Sequence, residues 1–225
     1  LSASGLWAVM PVKNIENAKQ RLAPALTPIE RQNLFRAMVE DVLLALSASE
    51  SLAGVLMVTR DPEAQNLAKC YSARVIIEET NAGHTAASSL GARTLAGEGA
   101  DGMIQIPGDL PLITSDDIET VIKVHGTAPA ITIAPSGDEL GSNAVACSPP
   151  DLLPLRFGDN SFFPHVERAK SLGIEPLIVK RAGLALDIDT ADDLKAFLSA
   201  PIEGNTYRYL RQSGVADRLR DQAQR

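Results

Sequence analysis

The sequence predicts an α/β fold: a single-domain, Rossmann-like, mostly parallel sheet flanked by helices. Three observations carry this. From residue 6 to about 200, short runs rich in Val, Ile, Met and Ala alternate with stretches of helical periodicity, the pattern of βαβ units. Several of the short runs are continuously apolar, as strands buried on both faces must be. Capping and turn residues stand at the boundaries between them. Right-handed crossovers then place helices on both faces of the sheet.

The elements follow in order. Leu6–Val12 is an apolar run and reads as the first strand. Lys13–Pro24 is a polar loop. Thr27-Pro28-Ile29-Glu30 opens a long helix: Thr27 caps, Pro28 suits the first helical position and Glu30 closes a capping box. Leu34, Met38, Val42 and Leu46 give that helix its apolar stripe, which ends near Ser47. Gly54–Thr59 is a second strand. Asp61-Pro62 starts a second helix, with Ala64, Leu67 and Ala68 facing inward. Arg74–Ile77 is a third strand, Glu78–His84 a loop, and Thr85–Ala96 a helix stopped by Gly97. Met103–Ile106 is a fourth strand. Thr114 or Ser115 caps a helix that runs to His125, where the histidine is expected as an electrostatic cap. Ala130–Ala134 and Asn143–Cys147 are extended, with a turn at Gly137–Ser142 between them. Ser161 is expected to cap a helix to Leu172, with His165 as a surface or packing residue on it. Leu177–Lys180 is a strand. Leu184–Ile188 alternates weakly, as a strand would, and Thr190 with Asp193 caps a last short helix. The domain is placed at residues 1–200. Residues 201–225 are set apart as a basic C-terminal extension, in which Tyr207, Leu210, Val215 and Leu219 would share one helical face.

Composition narrows the function. With 45% hydrophobic residues in 225, the chain can build a full core without staples. Its net charge of −7 argues against broad binding to nucleic acid or anionic membrane. Cys70 and Cys147 are far apart, outside any Cys-x-x-Cys spacing, and read as free thiols of a reducing compartment. No run reaches a membrane span and no secretory leader is evident, so a cytoplasmic protein is expected.

Three constellations could carry chemistry. Lys13, Lys19 and Arg21 put three cations into nine residues of loop; together they could neutralise a polyphosphate, although each alone is ordinary in a solvated loop. Neither a P-loop nor a dinucleotide fingerprint is present. Asp109 follows Ile104–Gly108 at the carboxyl end of a predicted strand, where open α/β sheets bind ligands. Asp187 and Asp189 are two residues apart, so at strand spacing both face one site while Ile188 turns to the core. Three converging carboxylates repel one another unless a cation such as Mg²⁺ neutralises them. Turn and cap chemistry would explain any one of them singly. The third constellation is Gly141-Ser142-Asn143 with Phe157–Ser161, where Ser161 at a helix start could offer its hydroxyl and free N–H groups to an anion. His84 lies in the Asn81–His84 loop and could line a nucleotide pocket. No nucleophile elbow or reactive-cysteine signature is present.

The ordered set Pro11-Val12-Lys13, Ala18–Leu22, Ile106–Leu112, Phe157-Gly158 with Ser161-Phe162, and Leu186–Thr190 resembles the phospholactate guanylyltransferase family, also called CofC or FbiD. The resemblance covers residues 6 to 200 and implies the nucleotidyltransferase fold of nucleotide-diphospho-sugar transferases, GT-A-like in plan. It implies GMP transfer from GTP to 2-phospholactate, phosphoenolpyruvate or 3-phosphoglycerate, with release of pyrophosphate, in deazaflavin coenzyme biosynthesis. By position it implies Mg²⁺ on Asp109, Asp187 and Asp189, with Asp109, Lys13, Lys19 and Arg21 serving catalysis. GTP contacts are expected from Lys13, Lys19, Arg21, Asn81, Gly83 and Gly108, and acceptor-phosphate contacts from Ser142, Gly158 and Ser161. A downstream transferase that takes the labile product is an implied partner. This chain departs from the family at Ser142, where Thr is usual, and at His84-Thr85, where Leu-Asn is common. Another nucleotidyltransferase of the fold, such as one of the molybdenum-cofactor type, or a non-catalytic GTP-binding module are the alternative readings.

Overall fold

The computed structural model describes residues 5–80, 82–200 and 203–223. Seven strands form one sheet in the order β3-β2-β1-β4-β6-β5-β7. These are β1 (Leu6–Pro11), β2 (Leu52–Val58), β3 (Arg74–Ile76), β4 (Gly102–Gln105), β5 (Ala130–Pro135), β6 (Ser142–Ser148) and β7 (Leu177–Ile178). The helices are α1 (Pro28–Ser47), α2 (Pro62–Cys70), α3 (His84–Gly97), α4 (Ser115–Val124), α5 (Phe162–Ser171), α6 (Ala182–Ala185), α7 (Ala191–Ser199), α8 (Asn205–Gln212) and α9 (Val215–Ala223). Every strand contact is parallel except those of β6, which runs antiparallel to both β4 and β5. The mixed α/β architecture with a mostly parallel sheet is the one the sequence predicts.

The apolar runs work as buried strands because alternate residues feed two cores. Ala8, Met10, Val55, Met57 and Ile104 face α1 and the C-terminal helices. Val9, Leu56, Val58, Met103 and Val145 face α3 and α5. Full burial of each such side chain contributes roughly 1.5–3 kcal/mol, so both faces are held without disulfides; Cys70 and Cys147 are free. The capping boxes of Thr27 with Glu30 and Thr190 with Asp193 stand where they are expected, and Thr114, one of two expected caps, forms a third box with Asp117.

Three features differ from the sequence reading. Leu184–Ile188 is not a strand: α6 occupies its first half and the rest is an unpaired loop segment, because the strand partner at that edge is already the two-residue β7. Ser161 makes no cap hydrogen bond to its helix; its hydroxyl is engaged elsewhere, as shown below. His125 is buried between two strands rather than acting as a charged cap. Nδ1 lies 2.9 Å from Thr132 Oγ1 and Nε2 lies 3.0 Å from Ser148 Oγ, and burial depresses its basicity. The described part of the C-terminal extension shares the main core, through Leu210, Val215, Ala216 and Leu219.

The attachment of α8 is specific. Asp41, on the buried side of α1, accepts from the backbone N–H groups of Asn205 at 2.7 Å and Thr206 at 2.8 Å. A carboxylate of α1 thus caps the start of α8, favoured by the helix dipole as well. Arg218 on α9 closes a second tie, to Glu30 at 3.0 Å. Asp41→Ala should therefore destabilise the fold by about 2 kcal/mol, the value of two charge-assisted bonds at a helix start. Urea denaturation measures it, and an unchanged midpoint would show that α8 docks by apolar contact alone.

Candidate active site

The strand order fixes where the site lies. From β1 the chain steps out to β2 and β3, then returns to β4 on the other side of β1. The crevice between the carboxyl ends of β1 and β4 is therefore a topological switch point, the usual ligand position in such sheets. A cavity of about 380 Å³ opens there. Pro11 and Lys13 line it from the end of β1, and Pro107, Gly108 and Asp109 from the end of β4. Gly108 is small because the sheet end leaves no room: a β-carbon would stand 3.1 Å from Val39 and 3.2 Å from Met10.

The loop after β1 supplies the cavity's cations. Ile15 anchors it, buried and bonded through its N–H to Asp61 at 2.9 Å. A 3-10 turn at Gln20–Leu22 follows, with Leu22 in the core. Lys19 immediately before it holds φ 54 and ψ 44, a left-handed conformation unfavourable to a residue with a β-carbon. That conformation aims its side chain inward. Nζ donates to Asp109 Oδ2 at 2.6 Å and to Asp189 Oδ1 at 2.7 Å, and the side chain is only 5% exposed. Arg21 adds a contact to Asp189 at 3.3 Å. Burial works against the Lys19 charge, but attraction to Asp109 and Asp189 outweighs it and leaves the ammonium above its ordinary pKa.

The carboxylates come together through backbone as well as side chains. Ile188 N–H donates to Asp109 O at 3.1 Å, and Ile188 itself is fully buried. This bond sets the loop carrying Asp187 and Asp189 against the end of β4. Burial, and then the charge of Asp109, raise the Asp187 pKa. Asp189 also suffers from burial, yet Lys19 and Arg21 bring it below the usual carboxylate value. Asn143 holds Asp187 from β6, donating to its Oδ1 at 3.2 Å and to Leu184 O at 2.9 Å. The three carboxylates are the hard oxygen donors that Mg²⁺ prefers, so the residue chemistry suits that ion. Among the described residues, however, no three acidic, His or Cys side chains are arranged as a metal cage. Lys19 supplies the positive charge between two of them.

A β-bulge explains how β6 serves this site. Ala134 pairs with Ala144, but Pro135 pairs with Ser142, leaving Asn143 as the extra residue. Such an insertion re-aims the side chains around it. Asn143 reaches Asp187 on one side of the sheet, and Ser142 turns to α5 on the other. There Ser142 N–H donates to Ser161 Oγ at 2.8 Å, and Ser142 Oγ lies 2.9 Å from His165 Nδ1. Gly158 sits in the preceding loop with φ 128, a conformation that only glycine adopts readily. Phe157 beside it packs edge-on against His84 at 4.7 Å and His165 at 5.2 Å.

Of the residues singled out from the sequence, Lys13, Lys19, Arg21, Gly108, Asp109 and Asp189 share the cavity wall with His84. Asp187 is tied to the group through Asn143. Ser142 and Ser161 meet each other but do not line the cavity, and Gly158 stands exposed beside them. Gly83 precedes α3 with φ 100; Asn81 lies outside the described residues. The sequence reading included Asn143 in its third constellation without a role of its own and left His165 as a surface or packing residue, because nothing in a sequence announces a bulge or a hydrogen bond across the sheet.

The model of the family described as "Guanylyl transferase CofC like" matches residues 6–224. The chain belongs to this family. It is thus an enzyme of the nucleotidyltransferase type, and the family match includes the C-terminal helices. Phosphoenolpyruvate guanylyltransferase of Rubrobacter xylanophilus is 35% identical over 84% of this chain and 91% of its own. 2-Phospho-L-lactate guanylyltransferase of Methanothermobacter thermautotrophicus is 31% identical over 91% and 89%. 3-Phospho-D-glycerate guanylyltransferase of Colwellia psychrerythraea is 31% identical over 86% and 92%. Among solved structures, a nucleotidyl transferase of Methanothermobacter has the same fold, with a TM-score of 0.66 at 17% identity, covering 92% of this chain and 99% of that one.

His84 and His165 are both pushed down to about 4, chiefly by burial. Each takes up a proton in the unfolded chain, near pH 6.5, before it does so in the folded one. Their contribution is therefore complete above pH 6.5 and is lost as the pH falls toward 4. A shift of this size corresponds to about 3 kcal/mol per residue at most. Urea midpoints should fall across that window in the native chain, and His84→Asn should make the fall shallower; parallel curves would contradict the buried neutral state of His84.

Proposed function

We propose that the protein transfers GMP from GTP to a small phosphorylated three-carbon acid: phosphoenolpyruvate, 2-phospholactate or 3-phosphoglycerate. The observation that carries this reading is the meeting of Asp109, Asp187 and Asp189 with Lys19 and Arg21 beside a switch-point cavity, in a chain whose relatives act on those acids. The two relatives at 35% identity are phosphoenolpyruvate guanylyltransferases, which makes phosphoenolpyruvate the first acceptor to test.

In the proposed reaction an oxygen of the acceptor phosphate bonds to the α-phosphorus of GTP. The bond from that phosphorus to the bridging oxygen breaks, and pyrophosphate leaves with its electron pair. The attacking phosphate is already ionised near neutral pH, so no proton has to be removed. What the protein supplies is positioning and countercharge. Lys13, Lys19 and Arg21 surround the phosphates, and Gly108 lets the nucleotide approach the sheet end. Asp109, Asp187 and Asp189 would hold Mg²⁺. When bound, that ion neutralises the reacting phosphates and orients them. Lys19 would then exchange its carboxylate partners for phosphate oxygens. The guanylylated acid is labile, and a transferase consuming it directly, in deazaflavin coenzyme biosynthesis, is the proposed next step.

Pyrophosphate release with GTP and each acid, with product mass as a check, tests the reading; no release with any acid would reject it. Asp109→Asn should lower turnover at least ~10³-fold, the scale expected for a group stabilising charge in the transition state. Circular dichroism should show the fold unchanged. Near-normal turnover in that variant would remove Asp109 from the mechanism.

A further inference from the structure

The proposed function leaves His165 without a role, although it is 1% exposed and central to the pair Ser142–Ser161. Its hydrogen bonds fix its tautomer. Arg156 donates its backbone N–H to His165 Nε2 at 3.0 Å. A backbone N–H can only donate, so Nε2 carries a lone pair. A neutral imidazole has one N–H and one acceptor nitrogen. The proton is therefore on Nδ1, 2.9 Å from Ser142 Oγ, and the serine oxygen must accept it.

The consequence passes along the pair. With its oxygen taken from inside by His165, the Ser142 hydroxyl has its proton left to donate elsewhere. The backbone N–H of Ser142 donates to Ser161 Oγ at 2.8 Å, so the Ser161 hydroxyl is in the same position. Both oxygens accept from internal donors, and neither hydroxyl proton has an acceptor among the described residues; the two serines are themselves buried, beside the exposed loop at Gly158. Two oriented hydroxyl donors beside an exposed glycine loop suit an oxyanion, and Asn143 links the same bulge to Asp187.

We propose that His165 is a positioning residue, which holds Ser142 by its oxygen so that Ser142 and Ser161 present paired hydroxyl protons to an oxyanion of the acceptor acid. Phe157 braces the arrangement by packing edge-on against the His165 ring at 5.2 Å. The inference rests on the guanylyl-transfer reading and adds to it a cause for the orientation of its acceptor contacts. It also assigns different work to the two ring nitrogens. Nδ1 orients the serine, whereas Nε2 only secures the loop at Arg156.

Steady-state kinetics by pyrophosphate release, with GTP and acid varied separately, tests this in the full chain. His165→Phe should raise KM for the acid roughly tenfold or more, the effect of losing an oriented donor to a charged group. KM for GTP should stay within about twofold. Ser142→Ala should act similarly, and the double variant should be no worse than Ser142→Ala alone, because the histidine acts through that hydroxyl. His165→Asn, whose side-chain N–H can replace Nδ1, should retain most of the acid affinity. His165→Gln, which resembles Nε2, should not. This Asn-against-Gln contrast decides the matter even if His165→Phe fails to fold. Additive effects of His165 and Ser142, equal rises in both KM values, or identical Asn and Gln variants would overturn the proposal. If the unaltered protein turned over none of the acids, the guanylyl-transfer reading itself would fail and the positioning role with it. An active parent with additive variants would sink the positioning role alone.

Discussion

The site depends on countercharge. Three carboxylates at one end of a sheet repel one another, and the fold admits them because the Lys19 ammonium lies against two of them. Burying such a group costs desolvation that an ion pair recovers only with good geometry and several partners. Lys19 has both, at the expense of a left-handed backbone and an almost wholly buried side chain. The opposite shifts of the two neighbouring acids follow from the same arrangement. Asp189 touches Lys19 and Arg21 and stays easily ionised, whereas Asp187 has Asn143 as its partner and is held above its usual value by burial and by Asp109. In the proposed reaction a cation at these carboxylates would have to displace Lys19, and phosphate oxygens would be its new partners. Under that proposal one exchange of partners would couple the binding of metal and nucleotide.

The second constraint is the antiparallel strand. A purely parallel sheet would bring only strand ends to the crevice. β6 runs the other way between β4 and β5, so it begins at that edge, and its bulge lies beside the carboxylates. The extra residue splits the roles of neighbours: Asn143 holds Asp187 on one face, and Ser142 belongs to the α5 cluster on the other. One local irregularity thus joins the carboxylates to the hydroxyl pair.

Much of this was legible in the sequence, and the parts that were not share a physical reason. The main strands, the capping boxes at Thr27 and Thr190, and the candidacy of Lys19, Asp109 and Asp189 all rest on local patterns: apolar runs, S/T-x-x-D/E spacing, charge density and strand-end position; that Lys19 pairs with both carboxylates does not. The extended reading of Leu184–Ile188 failed because short apolar alternation does not say whether a partner strand is available. Ile188 nonetheless turned to the core, which is why Asp187 and Asp189 still reached one site. Ser161 resembled a cap, yet its hydroxyl was taken by a strand far away in sequence. The helical face of Tyr207, Leu210, Val215 and Leu219 was legible, but its tie to Asp41, a buried carboxylate on α1, was not. Pairings made across the sheet leave no mark on the spacing of either partner.

The histidines serve the framework. His84, His125 and His165 are each held below ordinary basicity, with burial as the main cause. His84 and His165, pushed down to about 4, lie well below the neutrality that suits a general base. Each bridges elements instead: His84 meets Gln105 of β4 at 3.0 Å, His125 joins β5 to β6, and His165 joins α5 to β6 and to the loop at Arg156. An ionised phosphate that attacks phosphorus needs its charge balanced and its direction fixed, and it needs no proton removed. A protein doing that work can use its neutral imidazoles as rigid two-ended connectors and leave the reacting centre to lysine, arginine and aspartate.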